Sequence, residues 1–387
     1  MGFRWVGLAA AMALGACSTI VPRGPAPAIN NPAATPTPSV GDGSFDRGIP
    51  RDTERNRVAL LVPLSGSNAG IGKSIANATM QAVLDTRTEQ VRITNYDTAT
   101  GAEAAARRAI AEGAQLILGP LLSDDVRAVA PIAKAAGVPV ISFSNDVGVA
   151  GDGVYLLGYA PTQSIDRVVS FAASRGVRNF AGLVPNGLYG QRSSTAFLRA
   201  VEDSGGQVLS LQAYPRGAGA ITSTVARLNE KAPYGAVLIA DGGASAAAIA
   251  PSVKRASPGV HLLGTELWNS ESGIGSRAAL DGAWFASVPD TLYRQFAVKY
   301  RARFGTAPYR LASLGYDAVL LTVRIGRDWP VGRAFPEKRL RDPDGFAGID
   351  GAFRFGSDGV AERALEVQEI RGGSTVLVSA APTDFKR

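Results

Sequence analysis

The sequence predicts an α/β fold of two doubly wound parallel-sheet lobes with a hinge and an interlobe cleft, and three observations predict it. From residue 58 onward, short apolar runs bounded by Pro or Gly alternate with segments of helical period. Parallel strands buried on both faces and covered by helices give this pattern. The alternation comes in two similar sets, the second beginning near residue 160. Finally, 387 residues with 46% hydrophobic and 19% charged side chains can fill two cores, whereas single cores stop growing well below that length.

Taken in order, the run at 58–62 closes on Pro63, and Ile71, Ile75, Ala78 and Ala82 then share one helical face. A strand at 91–96, a helix at 102–112, a strand at 116–118 ending on Gly119-Pro120, a helix running to Gly137 and a strand at 138–143 complete the first set. In the second set Ile165, Val168, Val169 and Ala172 fall at i, i+3, i+4, i+7, ahead of a strand at 180–184. Helices at 190–204, 220–231 and 244–256 then alternate with strands at 207–213, 236–240 and 260–263, and a last strand falls near 283–287. Long helices follow at 290–304 and about 309–327, and the tail from 346 to 378 reads as short strands with Gly turns. Right-handed crossovers make each set a doubly wound layer. The expected division is about 58–159 with 288–332 for the first lobe, and about 160–287 with 333–387 for the second. Such folds take ligands at the carboxyl ends of their strands.

The first residues read differently. One Arg, the apolar run Val6 to Leu14 and the small residues Gly15-Ala16 make residues 1–16 a secretory signal peptide, too short to span a bilayer. Leu14-Gly15-Ala16-Cys17 resembles the bacterial lipobox, which implies acylation of Cys17 and a lipid anchor; Ser18 behind it implies the outer membrane. Seven prolines in 18–57 make residues 17–57 an extended tether that cannot repay the entropy of ordering. The expected place of action is therefore the periplasm.

Composition narrows the chemistry. One Cys and one His exclude a disulfide framework and nearly every zinc site, and no metal or cofactor is expected. Gly66 to Gly72 encloses five residues where a P-loop needs four before Gly-Lys-Ser, so what remains is a Gly-rich turn, with Ser65 and Gly66, that offers backbone N–H groups to a polar ligand. His261 is the only imidazole, and no Gly-x-Ser-x-Gly elbow accompanies it; Gly243-Ala244-Ser245-Ala246-Ala247 is the nearest approach. Asp124-Asp125 after Ser123 read as helix N-terminal caps. The basic stretch at 324–341 is offset by Asp328, Glu337 and Asp342, and the net charge of +7 on an exported chain does not point to nucleic acid. No nucleophile, base and metal set converges, so an enzyme is not expected.

Several motifs carry a family resemblance. Val-Ala-Leu-Leu-Val-Pro-Leu-Ser-Gly at 58–66, Leu-Ile-Leu-Gly-Pro-Leu at 116–121 and Gly-Val-Pro-Val-Ile-Ser at 137–142 look like the type I periplasmic binding protein fold, nearest its leucine-binding branch. Leu188-Tyr189-Gly190, Leu263-Gly264-Thr265-Glu266, Gly315-Tyr316-Asp317-Ala318 and the Phe346–Gly351 stretch continue the order. With the lipobox and the Pro-rich tether, the chain is most similar to the penicillin-binding-protein activator lipoproteins. The resemblance implies a non-catalytic envelope lipoprotein that regulates a peptidoglycan synthase, or alternatively the substrate-binding lipoprotein of an ABC transporter for an amino acid or similar polar solute. It places Ser123, Asp124, Ser144 and Asn145 in the cleft loops of the first lobe and Tyr189, Asp241 and Glu266 in the second, where they would hold an amine. The acidic loops, with Asp124, Asp125 and Asp146, are expected to repel a ligand carboxylate, by about 4 kcal/mol at 4 Å and an effective dielectric near 20.

Overall fold

Strand β1 (Asn56–Val62) is buried along almost its whole length, as a central strand must be, and it begins inside the stretch expected to be tether. Asn56 is held there, donating from Nδ2 to the Trp329 carbonyl at 2.9 Å. The computed structural model describes residues 54–215, 218–271 and 273–382. The signal-peptide reading, Cys17 and nearly all of the tether lie outside the described residues.

After β1 come α1 (Ala69–Thr86), β2 (Val91–Asp97), α2 (Ala102–Ala111), β3 (Leu116–Leu118), α3 (Ser123–Ala136), β4 (Val140–Ser142) and β5 (Val154–Leu156). These strands form an all-parallel sheet in the order β2-β1-β3-β4-β5. The sequence reading missed β5, which has three residues. Alternate residues of β1 serve two layers: Val58, Leu60 and Val62 face one core, Ala59 and Leu61 the other.

The second lobe repeats the construction with α4 (Pro161–Ser174), β6 (Asn179–Pro185), α5 (Leu188–Asp203), β7 (Gln207–Tyr214), α6 (Ala218–Asn229), β8 (Ala236–Ile239), α7 (Gly243–Ala256), β9 (His261–Gly264) and β10 (Trp284–Ser287). The first strand of each lobe, β1 or β6, runs into a proline, and a glycine of the following helix abuts that proline. A Cβ on Gly72 would lie 1.8 Å from the Pro63 oxygen, and one on Gly190 would lie 1.6 Å from the Pro185 oxygen. Only glycine permits such helix–strand contact. The first lobe spends nine positions from proline to glycine and the second five, so the first has the longer cleft loop.

The chain then returns through α8 (Thr291–Phe304) and α9 (Ala312–Gly326), β11 (Phe346–Gly348), β12 (Gly351–Phe355) and β13 (Ala361–Arg363), before β14 (Glu366–Arg371) and β15 (Ser374–Ser379). The second sheet runs β15-β14-β10-β9-β8-β6-β7, antiparallel only where β14 joins β10 and β15 joins β14. Here the expected division is corrected. Residues 333–363 do not belong to the second lobe: Phe335, Leu340, Phe346, Phe353, Phe355 and Ala361 share a core with Leu60 and Leu314 of the first. These side chains need apolar cover, and β11–β13 form a small sheet of their own there; only β14 and β15 join the second sheet. The chain thus crosses between lobes after β5, after β10 and after β13.

Candidate functional site

Those crossings converge. A cavity of about 270 Å³ lies between the lobes, with Tyr159, Ala160 and Gln163 from the first crossing, Ser287 and Val288 from the second, and Arg363 and Leu365 from the third in its lining. Asn68, Ile71, Leu121, Phe143, Asn145, Arg310 and Leu311 line it from the first lobe. Glu266, Leu267, Asn269 and Ser270 line it from the second, beside Ser164.

The first-lobe wall is charged. Arg310, 7% exposed, donates from Nη1 to Asp350 Oδ1 at 2.7 Å, Ser313 Oγ at 2.8 Å and the Tyr159 hydroxyl at 3.2 Å. Its guanidinium lies 4.0 Å from the centre of the Tyr293 ring, and Asp290 adds a longer ion pair at 3.5 Å. The Tyr159 hydroxyl donates in turn to Asp350. Burial opposes ionisation of Asp350, but Arg310 and then Arg363 outweigh it and hold the carboxyl below its ordinary value. Asp317, in the middle of apolar α9, accepts the backbone N–H groups of Ile349 at 2.7 Å and Asp350 at 3.3 Å. Burial, and then the charge of Asp350, push it up to about 7. Arg363 donates from Nη2 to the Leu157 carbonyl at 2.6 Å, and its guanidinium lies over the rings of Tyr159 and Phe353.

The second-lobe wall is built on one carboxyl. Glu266 accepts the Ser164 hydroxyl on Oε2 and the Tyr189 hydroxyl on Oε1 at 3.0 Å, and Tyr189 also meets Thr265 Oγ1 at 2.9 Å. Burial raises the pKa of Glu266 despite these two bonds, and burial beside Glu266 raises that of Tyr189. A short helical turn at Glu266–Ser270, capped by Thr265, aims the carboxyl at the cavity.

Of the residues expected in the cleft, the structure brings Asn145 and Glu266 to the cavity, with Tyr189 directly behind Glu266. The others are engaged elsewhere. Ser65 donates to Asp97 Oδ2 at 2.6 Å and Gly66 forms an exposed turn. Ser123 and Asp124 both accept from Arg127, and Ser144 accepts the Asp146 N–H. Asp241 accepts the Tyr214 hydroxyl at 2.7 Å inside the second lobe. Asp124 and Asp125 are not caps: they stand in the first turn of α3, whose N-cap is Leu122. Nor are the acidic loops uncompensated, since Arg127 pairs with Asp124 and Asp146, and Arg192 lies 3.4 Å from Asp146. His261 stacks on Trp284 at 3.9 Å at the start of β9 and is not part of the cavity lining.

Sequence reasoning missed Tyr159, Arg310, Asp350 and Arg363. The available signal was Asp317, an acid inside the apolar run Ala312–Gly326, and Asp350 in the Phe346–Gly351 motif. A buried acid must either find a cationic partner or shift toward its neutral form. Among the described residues, no cluster of three or more His, Cys, Asp or Glu side chains is placed to hold a metal ion, and no helix is long and apolar enough to cross a membrane.

Two α/β lobes joined by three crossings, with a cavity between them lined from both sides, define a two-lobed binding protein. The chain belongs to the periplasmic binding protein family, whose pattern matches residues 56–374, and its fold is the type I form. It is similar to an uncharacterized protein of Rickettsia prowazekii (24% identical over 184 residues, 47% of this chain and 49% of that one). It is also similar to the penicillin-binding protein activator LpoA of Glaesserella parasuis (30% over 148 residues, 38% of this chain and 25% of that one). The matches therefore span half or less of these relatives. Among solved structures, a putative branched-chain amino acid ABC transporter protein from Rhodospirillum rubrum superposes with a TM-score of 0.74 at 21% identity, covering 84% of this chain and 100% of that one. The leucine binding protein LivK of Thermotoga maritima gives 0.65 at 21%, covering 85% and 99%. Full-length LpoA of Haemophilus influenzae gives 0.64 at 19%, covering 84% of this chain and 59% of that one.

Proposed function

We propose that this protein acts by binding rather than catalysis, holding a small solute between its lobes, and that it serves at the cell envelope as a regulator of a peptidoglycan synthase. The observation that carries the binding reading is the formed cavity of about 270 Å³, near the lower end of the ~300–1,000 Å³ range of ligand pockets, with polar groups from both lobes in an apolar lining. The regulatory reading is supported by the 30% identity, over 148 residues, with LpoA, a penicillin-binding protein activator. In this reading Cys17 is acylated and anchors the chain to the outer membrane, and the tether carries the lobes toward the synthase. A second reading, a solute-binding lipoprotein serving an ABC permease, is favoured by solved transporter proteins that align over their whole length.

The test is paired. A melting screen against amino acids, carboxylates and muropeptides is expected to find a ligand, which at 100 times its Kd adds roughly 2.7 kcal/mol. The acylated protein is then added to the penicillin-binding synthase of its own organism, and polymerised glycan is measured. A rise in rate supports the regulator; tight solute binding with no rise supports the transporter protein and overturns the regulator. Loss of membrane association in Cys17→Ala checks the anchor.

A further inference from the structure

An ion pair joins the two lobes across the cleft. Asp146 follows β4 in the first lobe, next to the cavity-lining Asn145, and Arg192 stands on α5 of the second. Arg192 Nη2 lies 3.4 Å from Asp146 Oδ1, and the two side chains are 41% and 4% exposed. The acid is held ready on its own side. Its Oδ2 pairs with Arg127 of α3, its Oδ1 accepts the Gly148 N–H at 3.0 Å, and its own N–H donates to Ser144 Oγ at 3.1 Å. Arg127 therefore offsets much of the cost of burying the carboxylate, and Arg192 approaches an acceptor already desolvated and oriented. Gly148 leaves room for that approach, since a Cβ there would overlap the Arg192 guanidinium.

Arg192 is also tied to the cavity through its own helix. Tyr189, which donates to Glu266 at the second-lobe wall, stands three residues earlier on α5, so the two side chains are neighbours on one helix face. One turn of helix thus braces the cavity wall and reaches the opposite lobe.

We propose that Asp146 and Arg192 form an electrostatic latch between the lobes, with Arg192 a positioning residue that sets how much of the protein has its cleft closed. A pair with one half-exposed partner shifts the ratio of closed to open cleft by up to about fivefold. A ligand enclosed by both lobes needs the closed form, so the cavity's apparent affinity follows the closed fraction. Solvent reaches the Arg192 side of the pair, and salt must therefore weaken it. The latch acts on the lobes themselves and does not depend on which ligand the cavity takes.

The test reads lobe separation directly. In the full chain carrying Cys17→Ala, which has no other thiol, spin labels are placed at Ala135→Cys on α3 and Leu198→Cys on α5, both exposed positions. Pulsed electron resonance then gives the interlobe distance. Raising salt from about 0.01 to about 1 M cuts the screening length from ~30 to ~3 Å. With Arg192 in place, this is expected to move population from the shorter to the longer distance, by up to about fivefold in their ratio. Arg192→Gln is expected to show that shift already at low salt, with no further response. Arg192→Lys keeps the charge and should retain part of the salt response. A merely structural role for Arg192 would leave the salt response intact in Arg192→Gln. Distances that ignore salt when Arg192 is present, or a salt response that survives Arg192→Gln, overturn the latch and leave the binding reading standing. Should Arg192→Gln not fold, the salt series on Arg192 and Arg192→Lys chains decides: distances that ignore salt overturn the latch.

Discussion

Asp350 and Glu266, one at each wall of the cavity, are buried by opposite means. In the first lobe Asp350 stays charged because Arg310, in hydrogen-bond contact, outweighs the cost of burial; in the second, Glu266 meets only hydroxyls and its pKa is raised instead. The lobes share their opening construction, down to the proline–glycine contact at Pro63 and Gly72 and at Pro185 and Gly190. A shared scaffold thus fixes where a wall stands, while the partner supplied to each acid fixes what the wall offers. Hydroxyl partners alone do not compensate a buried charge; a guanidinium does.

That contrast can be broken experimentally. Removing the main counter-charge, Arg310→Met, leaves Asp350 buried with only the more distant Arg363 opposing it and should cost ~3–5 kcal/mol by urea denaturation. Adding Asp350→Asn should recover much of it; no recovery would mean that the arginine matters by packing over Tyr293 instead. Gly190→Ala tests the shared scaffold: its Cβ meets backbone, which cannot yield as a side chain does, so a loss of ~3 kcal/mol is expected.

The pH dependence should have opposite senses for Glu266 and Asp350. Glu266 has its pKa raised in the folded chain, so its contribution to stability is full below about pH 4.3 and is lost as pH rises through the folded value. Asp350 has its pKa lowered, so its contribution is present above about pH 3.9 and is lost as pH falls through the folded value. Denaturation midpoints of Glu266→Gln across pH 4–7 should therefore decline less with rising pH than those of the natural chain. A slope unchanged by the substitution would show that Glu266 is not an acid with a raised pKa. The smallest effect is expected from Tyr189→Phe, which removes the hydroxyl donor to Glu266 at a cost of ~1 kcal/mol, read from the same midpoints.

Much of the architecture was legible because hydrophobic period is a local property. The runs at 58–62, 116–118 and 236–240 read as strands from their own composition, and the amphipathic stretch around Ile165 to Ala172 as a helix. The segment 333–363 was misassigned because order along the chain was used where packing decides. Its Phe335, Leu340, Phe346 and Phe353 are apolar enough for either lobe, and only the core they enter settles the matter. The candidate site was less legible still. Ser65, Ser123 and Asp124 stand at promising loop positions, yet Asp97 and Arg127 occupy their polar atoms.

By itself, the sequence determined the two-lobed α/β class and the first strand closing on Pro63, because each follows from neighbours a few residues apart. Only the tertiary structure decided that Tyr159, Arg310, Asp350 and Arg363, spread over 205 positions, meet at one cavity. The physical reason is that the chain crosses between lobes three times, and charges so buried find their partners in space rather than in sequence.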